Sequence, residues 1–293
     1  MISEFTGTHS HLRVGKMLRR EFMRVTAFWL GAVLTLAPLA AFAEDQEVSI
    51  GKAEAAKLAK KGEVIESSPY YEMLRPIAHR IAVIADPQYD YPFHFILVHE
   101  KEPNAFAVPG GSVYVTDSLM TFVTNKEELA AVLCHETSHD IHHDVVHNLN
   151  KTRTLTYAAT ALSMLIGGGI GGSIAGGILG VAVDVQSLHY SREVETQADA
   201  KGAETCAAAG FNPWGMVWLL ERFSKTGSGT NMEVLSDHPT DTHRIEALRA
   251  IFAADPARYS RFSPHIASAT PLKRQPARPI GATPGPVEEE PTF

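Results

Sequence analysis

The apolar positions fall into runs with two periods. KAEAAKLAKK (52–61) and PYYEMLRPIAHRIAVIA (69–85) place apolar residues three and four apart and predict helices, with Pro76 interrupting the second. FHFILVHE (93–100) reads as a strand. NAFAVPGGSVYVT (104–116) reads as strand, turn, strand about Pro109-Gly110-Gly111. Asn125 or Thr124 caps the next helix, with acids in its first turn, and the pattern continues unbroken through LAAVLCHETSHDIHHDVVHNL. Further helices are predicted over 187–208 and near 213–224, and DHPTDTHRIEALRAIF (237–252) reads as a loop entering a last helix capped by Thr240. The expected fold is α+β and mainly helical, with a small antiparallel sheet or hairpin.

The ends of the chain read differently. Arg19, Arg20 and Arg24 precede an uncharged run that closes on Ala41-Phe42-Ala43, the pattern of an export signal cleaved after Ala43. Residues 1–43 are expected to be that leader, with 1–16 an upstream-start artefact. Residues 44–262 would be one domain, and the proline-rich stretch 263–293 a disordered tail. The net charge of −7 argues against nucleic-acid partners. The mature chain keeps two cysteines, Cys134 and Cys206, whose pairing cannot be read from spacing.

LCHETSHDIHHD (133–144) carries the chemistry. Histidines four apart on a helix share a face and can reach one metal ion. Two frames satisfy this: His135-Glu136-x-x-His139 and His139-Asp140-x-x-His143. The first supplies a glutamate long enough to act as general base and enters from the apolar half of the helix. A straight helix cannot bring His142 to the same ion as His135. The glycine-broken three-histidine arrangement is excluded, because His142 and Val145 occupy its key positions. A third ligand must come from downstream, where Glu193 and Glu195 point to opposite sides of a helix and Asp199 lies one turn beyond Glu195.

Four segments together, NAFAVPGGSVYVT, ELAAVLCHETSH, SREVETQADAKGA and HPTDTHR, resemble the zinc metallopeptidases that include the CAAX prenyl proteases, the HtpX-type membrane proteases and the periplasmic BepA-like proteases. The resemblance implies a zincin-like domain, one zinc ion and Glu195 as third ligand, with Asp199 behind the site. It implies that His238 lies near the metal, that Arg244 orients the acidic helix or assists the oxyanion, and that Asn104, Ala105, Phe106 and Ala107 form a substrate-facing edge strand. It also implies polypeptide substrates, among them unfolded or misassembled envelope proteins. The rival expectation is a non-catalytic zinc-bearing chaperone or adaptor of the same fold.

Residues 154–183 carry no charged side chain and eight glycines. With His139 and Glu195 on either side of this stretch at one ion, a single membrane crossing is impossible, and two would need about 40 residues. The stretch is expected to be a helical hairpin near the cleft, or a segment in peripheral contact with a bilayer.

Overall fold

The structure is a computed structural model and describes residues 37–165, 185, 188–226, 238 and 242–272. The residues before Ile50 make a separate unit, and the fold described below is that of residues from Ile50 onward. The described helices are α1 (Ala37–Lys61), α2 (Tyr70–Ala85), α3 (Asp117–Phe122), α4 (Lys126–Ile141), α5 (Asp144–Leu165), α6 (Arg192–Ala208), α7 (Trp214–Thr226), α8 (Thr242–Ala254) and α9 (Pro256–Tyr259). Strands β1 (His94–Val98), β2 (Ala105–Val108) and β3 (Ser112–Thr116) lie between α2 and α3.

Helix α4 is the axis of the fold. Every residue from Glu127 to Asp140 is buried. Its N-terminus is capped as its sequence predicts, the Asn125 side chain accepting from the Glu128 N–H. Its apolar half packs among Leu74, Ile77 and Ile81 of α2 and Leu219, Leu220 and Phe223 of α7. The sheet divides its side chains with period two. Val113 and Val115 of β3 join that core, whereas Tyr114 faces a second cluster with Leu58, Phe106, Val108 and Val145.

The sheet is mixed rather than antiparallel, with order β1-β3-β2. β2 and β3 form the expected hairpin, pairing Ala105 with Val115 and Val108 with Ser112. β1 lies parallel to β3 on its other side, in register from His94↔Ser112 to Val98↔Thr116. The turn explains the tight reversal. Gly110 and Gly111 have φ of 97° and 89°, and a Cβ on Gly111 would sit 2.3 Å from the Pro92 carbonyl oxygen. The outer edge of β1 is partly covered by a bridge from Val64 to Val98, leaving β2 as the edge that meets α4.

Four further expectations change. Pro76 does not interrupt α2, because it lies on the helix's exposed face where its ring meets water. The helix expected over 187–208 starts at Arg192, capped by the Ser191 hydroxyl, so Leu188 to Tyr190 form a loop instead. The long helix through 149 is broken at His142 and His143, and His143 takes a φ of 55°. Described chain also continues in order past Phe262. Trp218 Nε1 donates to the Pro264 carbonyl at 2.9 Å, and the Lys126 and Leu272 N–H groups pair with Thr270 and Thr124. These backbone bonds hold residues 263–272 against the start of α4. The remaining tail, most of the leader, Thr240 and residues 166–184 lie outside the described residues. Among the described residues, no helix is long and apolar enough to cross a membrane.

Gly215 at the start of α7 sets how closely that helix meets α4. A Cβ there would fall 2.2 Å from the Glu127 carbonyl oxygen, a backbone atom that cannot swing away. Gly215→Ala should therefore cost about 1–3 kcal/mol of unfolding free energy, as overpacked sites do, measured by urea denaturation against the wild-type chain.

Candidate metal centre

Four side chains from three places in the chain converge inside the fold. His135 and His139 come from one face of α4, Glu195 from the first turn of α6, and His238 from the segment before α8. One ligand atom from each lies within 4.8 Å of all the others, and all four residues are buried. The two Nε2 atoms of His135 and His139 are 3.2 Å apart. His135 Nε2 is 3.5 Å from Glu195 Oε2, and His139 Nε2 is 3.8 Å from Glu195 Oε1. His238 Nδ1 lies 3.4 Å from His135 Nε2 and 2.7 Å from Glu195 Oε1. The chemistry of this donor set, imidazole nitrogens with one carboxylate, fits a divalent metal ion. Glu193 is exposed on the opposite side of α6.

Helix packing creates this meeting. On α6, Ala198, Gly202 and Cys206 recur every fourth residue and present a seam of small side chains. A Cβ on Gly202 would stand 3.1 Å from the His135 backbone nitrogen and 3.2 Å from the Cys134 carbonyl. With only hydrogen there, α6 approaches α4 closely enough for Glu195 and Asp199 to reach both imidazoles.

Each imidazole has a carboxylate behind it. Asp144 Oδ2 is 2.8 Å from His139 Nδ1, and Asp199 Oδ1 is 3.1 Å from His135 Nδ1. Asp144 takes up the Nδ1 of His139 and Asp199 stands beside the Nδ1 of His135, so Nε2 is the nitrogen that each ring turns into the cluster. Arg244 closes the network. Its Nε and Nη2 donate to the two oxygens of Asp199 at 2.8 and 2.7 Å, and its Nη1 is 2.8 Å from Glu195 Oε2. Arg244 is 2% exposed. It stands behind the acids as a positioning residue for both carboxylates.

The charges shift one another as burial demands. Burial alone would lower the His135 pKa, but the Asp199 and Glu195 acceptors outweigh it and raise it to about 10. Burial acts to lower the His139 pKa and prevails over Asp144, keeping that ring neutral. Burial would raise the carboxyl groups of Glu195 and Asp199. The imidazoles of His238 and His135 beside Glu195, and the Arg244 guanidinium beside Asp199, instead hold both carboxyls below the usual carboxylate range.

Glu136, the next residue after His135, points the other way, toward the sheet. Its Oε2 accepts from the Ala107 N–H of edge strand β2 at 3.1 Å. Its Oε1 is 3.9 Å from His238 Nε2. Of the four residues expected to face substrate, Ala107 is thus tied to Glu136. Asn104 turns its Oδ1 back on the Ala105 N–H. Ala105 and Phe106 are buried, Phe106 stacking on Tyr114 at 5.3 Å.

Two neighbours of the cluster escape a reading of the sequence. Asp144 belongs to what looks like the same continuous helix as His139, and only the turn at His143 swings its carboxylate back. Tyr190 lies flat against His139, with ring centroids 4.4 Å apart and planes 12° apart, and 5.4 Å from the His238 ring. Its one sequence signal is an aromatic placed just before the cap of the helix that bears Glu195. The second histidine frame points elsewhere: His143 faces Tyr89 and His147, with ring centroids 5.6 and 6.3 Å away.

Losing the carboxylate behind His139 should loosen the metal without emptying the ligand set. Asp144→Ala is expected to weaken metal affinity by about 10–100-fold, read by competition with a chelating indicator.

The chain is similar in sequence to known metalloendopeptidases and proteases. The chain is 29% identical over 163 residues to the mitochondrial metalloendopeptidase OMA1 of Saccharomyces cerevisiae, covering 53% of this chain and 45% of that one. It is 25% identical over 212 residues to the beta-barrel assembly-enhancing protease of Yersinia pestis, covering 70% and 43%. The protein of that name from Escherichia coli strain K12 is 25% identical over 165 residues, covering 54% and 34%. The chain therefore spans less than half the length of these relatives. The family model for peptidase family M48 matches residues 71–252, more than half of the chain, and takes in α4, α6 and His238. The chain belongs to peptidase family M48.

Proposed function

We propose that this protein is a zinc-dependent endopeptidase, with His135, His139 and Glu195 holding the metal and Glu136 serving as general base. The observation that carries the reading is the convergence of two α4 imidazoles and one α6 carboxylate beside a glutamate held at an edge strand. Zinc bound to nitrogen and oxygen at about 2.0–2.1 Å sets its tetrahedral ligands roughly 3.3–3.4 Å apart. The separations among His135, His139 and Glu195, from 3.2 to 3.8 Å, suit that ion.

When bound, zinc would supply Lewis acidity, making a water acidic near neutral pH and polarising the scissile carbonyl. The protein's own groups do the rest. Glu136 takes the proton of the attacking water and returns it to the departing amine. The Ala107 N–H fixes the Glu136 carboxylate at the strand edge. Asp144 and Asp199 hold the imidazoles in the tautomer that leaves Nε2 free. Arg244 keeps Glu195 and Asp199 ionised and in place. His238, close to both Glu136 and Glu195, is set to donate to the oxyanion once the ring swings off Glu195. An extended substrate would add to the edge of β2 by strand pairing, through Asn104 to Ala107.

The substrates we infer are unfolded or misassembled proteins of the cell envelope, with the chain exported to the bacterial periplasm and residues 154–183 able to touch a membrane peripherally. The names of the beta-barrel assembly-enhancing relatives support that setting. A second reading, a latent or non-catalytic zinc-bearing chaperone, draws on the position of His238, whose Nδ1 stands where a fourth ligand would close the site.

One comparison separates the two readings. Glu136→Gln should keep its zinc and lose cleavage of an unfolded protein by about 10²–10⁴-fold, measured by metal analysis and by fluorescence release from a labelled unfolded substrate. Glu195→Ala should lose zinc, whereas Glu193→Ala should keep it. Zinc-loaded wild type with no cleavage would favour the chaperone, and unchanged activity in Glu136→Gln would remove Glu136 from the mechanism.

A further inference from the structure

Cys134 and Cys206 play no part in the chemistry above, yet they meet at its structural centre. Cys134 immediately precedes the first histidine on α4, and Cys206 lies seven residues past Asp199 on α6. Their Sγ atoms are 2.6 Å apart across the interface of the two helices. Both thiols are buried. The sulfurs are inside ordinary non-bonded contact and not far beyond a disulfide bond of about 2.05 Å. The approach is fixed by backbone: Gly202, one turn before Cys206, lets α6 lie against the Cys134 carbonyl.

We propose that Cys134 and Cys206 are a disulfide site that ties the helix bearing His135 and His139 to the helix bearing Glu195. The oxidant is a disulfide of another molecule. One cysteine thiolate attacks that disulfide, forming a mixed disulfide and releasing one thiolate. The second cysteine thiolate then attacks the mixed disulfide at the protein sulfur, closing the Cys134–Cys206 bond and releasing the second thiolate. Two protein thiols are oxidised, one disulfide is reduced to two thiols, and the two protons pass to the released thiolates. Because the pair is buried, the exchange takes place as the chain folds, before α4 and α6 close. The finished bond is then shielded from soluble reductants. It closes a loop between positions 72 residues apart, long enough for a large restriction of the unfolded chain. Oxidising compartments retain such bonds, but the site itself rests on geometry and not on the proposed activity.

The test uses the purified protein, unfolded and refolded in defined mixtures of oxidised and reduced glutathione, acid-quenched and alkylated under denaturing conditions. The expected product has no alkylatable thiol and is monomeric, with the peptides containing Cys134 and Cys206 joined in mass spectra. Its Tm should exceed that of the reductant-refolded chain by about 5–10 °C. Cys206→Ser should remove this difference, and the oxidised-against-reduced wild-type comparison stands even where that variant folds poorly. Two alkylatable thiols per chain at every glutathione ratio, or cysteines joined only between chains, would overturn the proposal.

Discussion

The centre of this protein depends on burying two carboxylates against two imidazoles. Glu195 and Asp199 are 1% and 3% exposed, and a charge so placed is costly unless it is paired and hydrogen-bonded. The fold meets that demand with Arg244, itself a buried charge that would be equally costly alone. Its planar fork takes both oxygens of Asp199 and reaches Glu195 with its remaining nitrogen. α8 must therefore dock where it does. With α8 docked, α6 is held against α4, and the acidic groups face the histidines. Breaking one partner leaves the others as unpaired buried charges, so the site and the packing of α4, α6 and α8 stand or fall together.

A second constraint acts at the other end of α4. The helix stops at Ile141, and His143 accepts a φ of 55° without glycine's freedom. The turn sends the chain into α5 at a new angle and returns Asp144 to His139. It also directs the His143 ring toward Tyr89 and His147, away from His135 and Glu195. The same break that orients one imidazole turns the competing histidine frame away from the cluster of His135, His139, Glu195 and His238.

Local chemistry in the chain made much of this legible. Asn125 announced the start of α4, Pro-Gly-Gly the hairpin, and helix rise limited one ion to a pair of the four clustered histidines, with Glu136 favouring the first frame. Opposite faces of α6 separated Glu195 from Glu193, and only the resemblance to relatives chose between them. The misses are long-range or masked by pattern. Nothing local in HFILV says that β1 will lie parallel to β3, since strand order is settled by how the hairpin packs on α4. Pro76 looks like a breaker, but an exposed face tolerates it. Asp144 sits in an unbroken helical pattern, because a left-handed histidine has no residue signature comparable to glycine. Tyr190 becomes meaningful only once the loop before α6 is folded against His139. The closeness of Cys134 and Cys206, 72 residues apart, is likewise a product of helix packing alone.

The central claim is that one ion joins α4 to α6, and anomalous diffraction from zinc-loaded crystals, collected on both sides of the zinc absorption edge, tests it most directly. The account predicts a single strong peak per chain, within bonding distance of His135 Nε2, His139 Nε2 and a Glu195 oxygen. A peak at His143 and His147 instead, or no peak among His135, His139 and Glu195 in zinc-loaded protein, would contradict it.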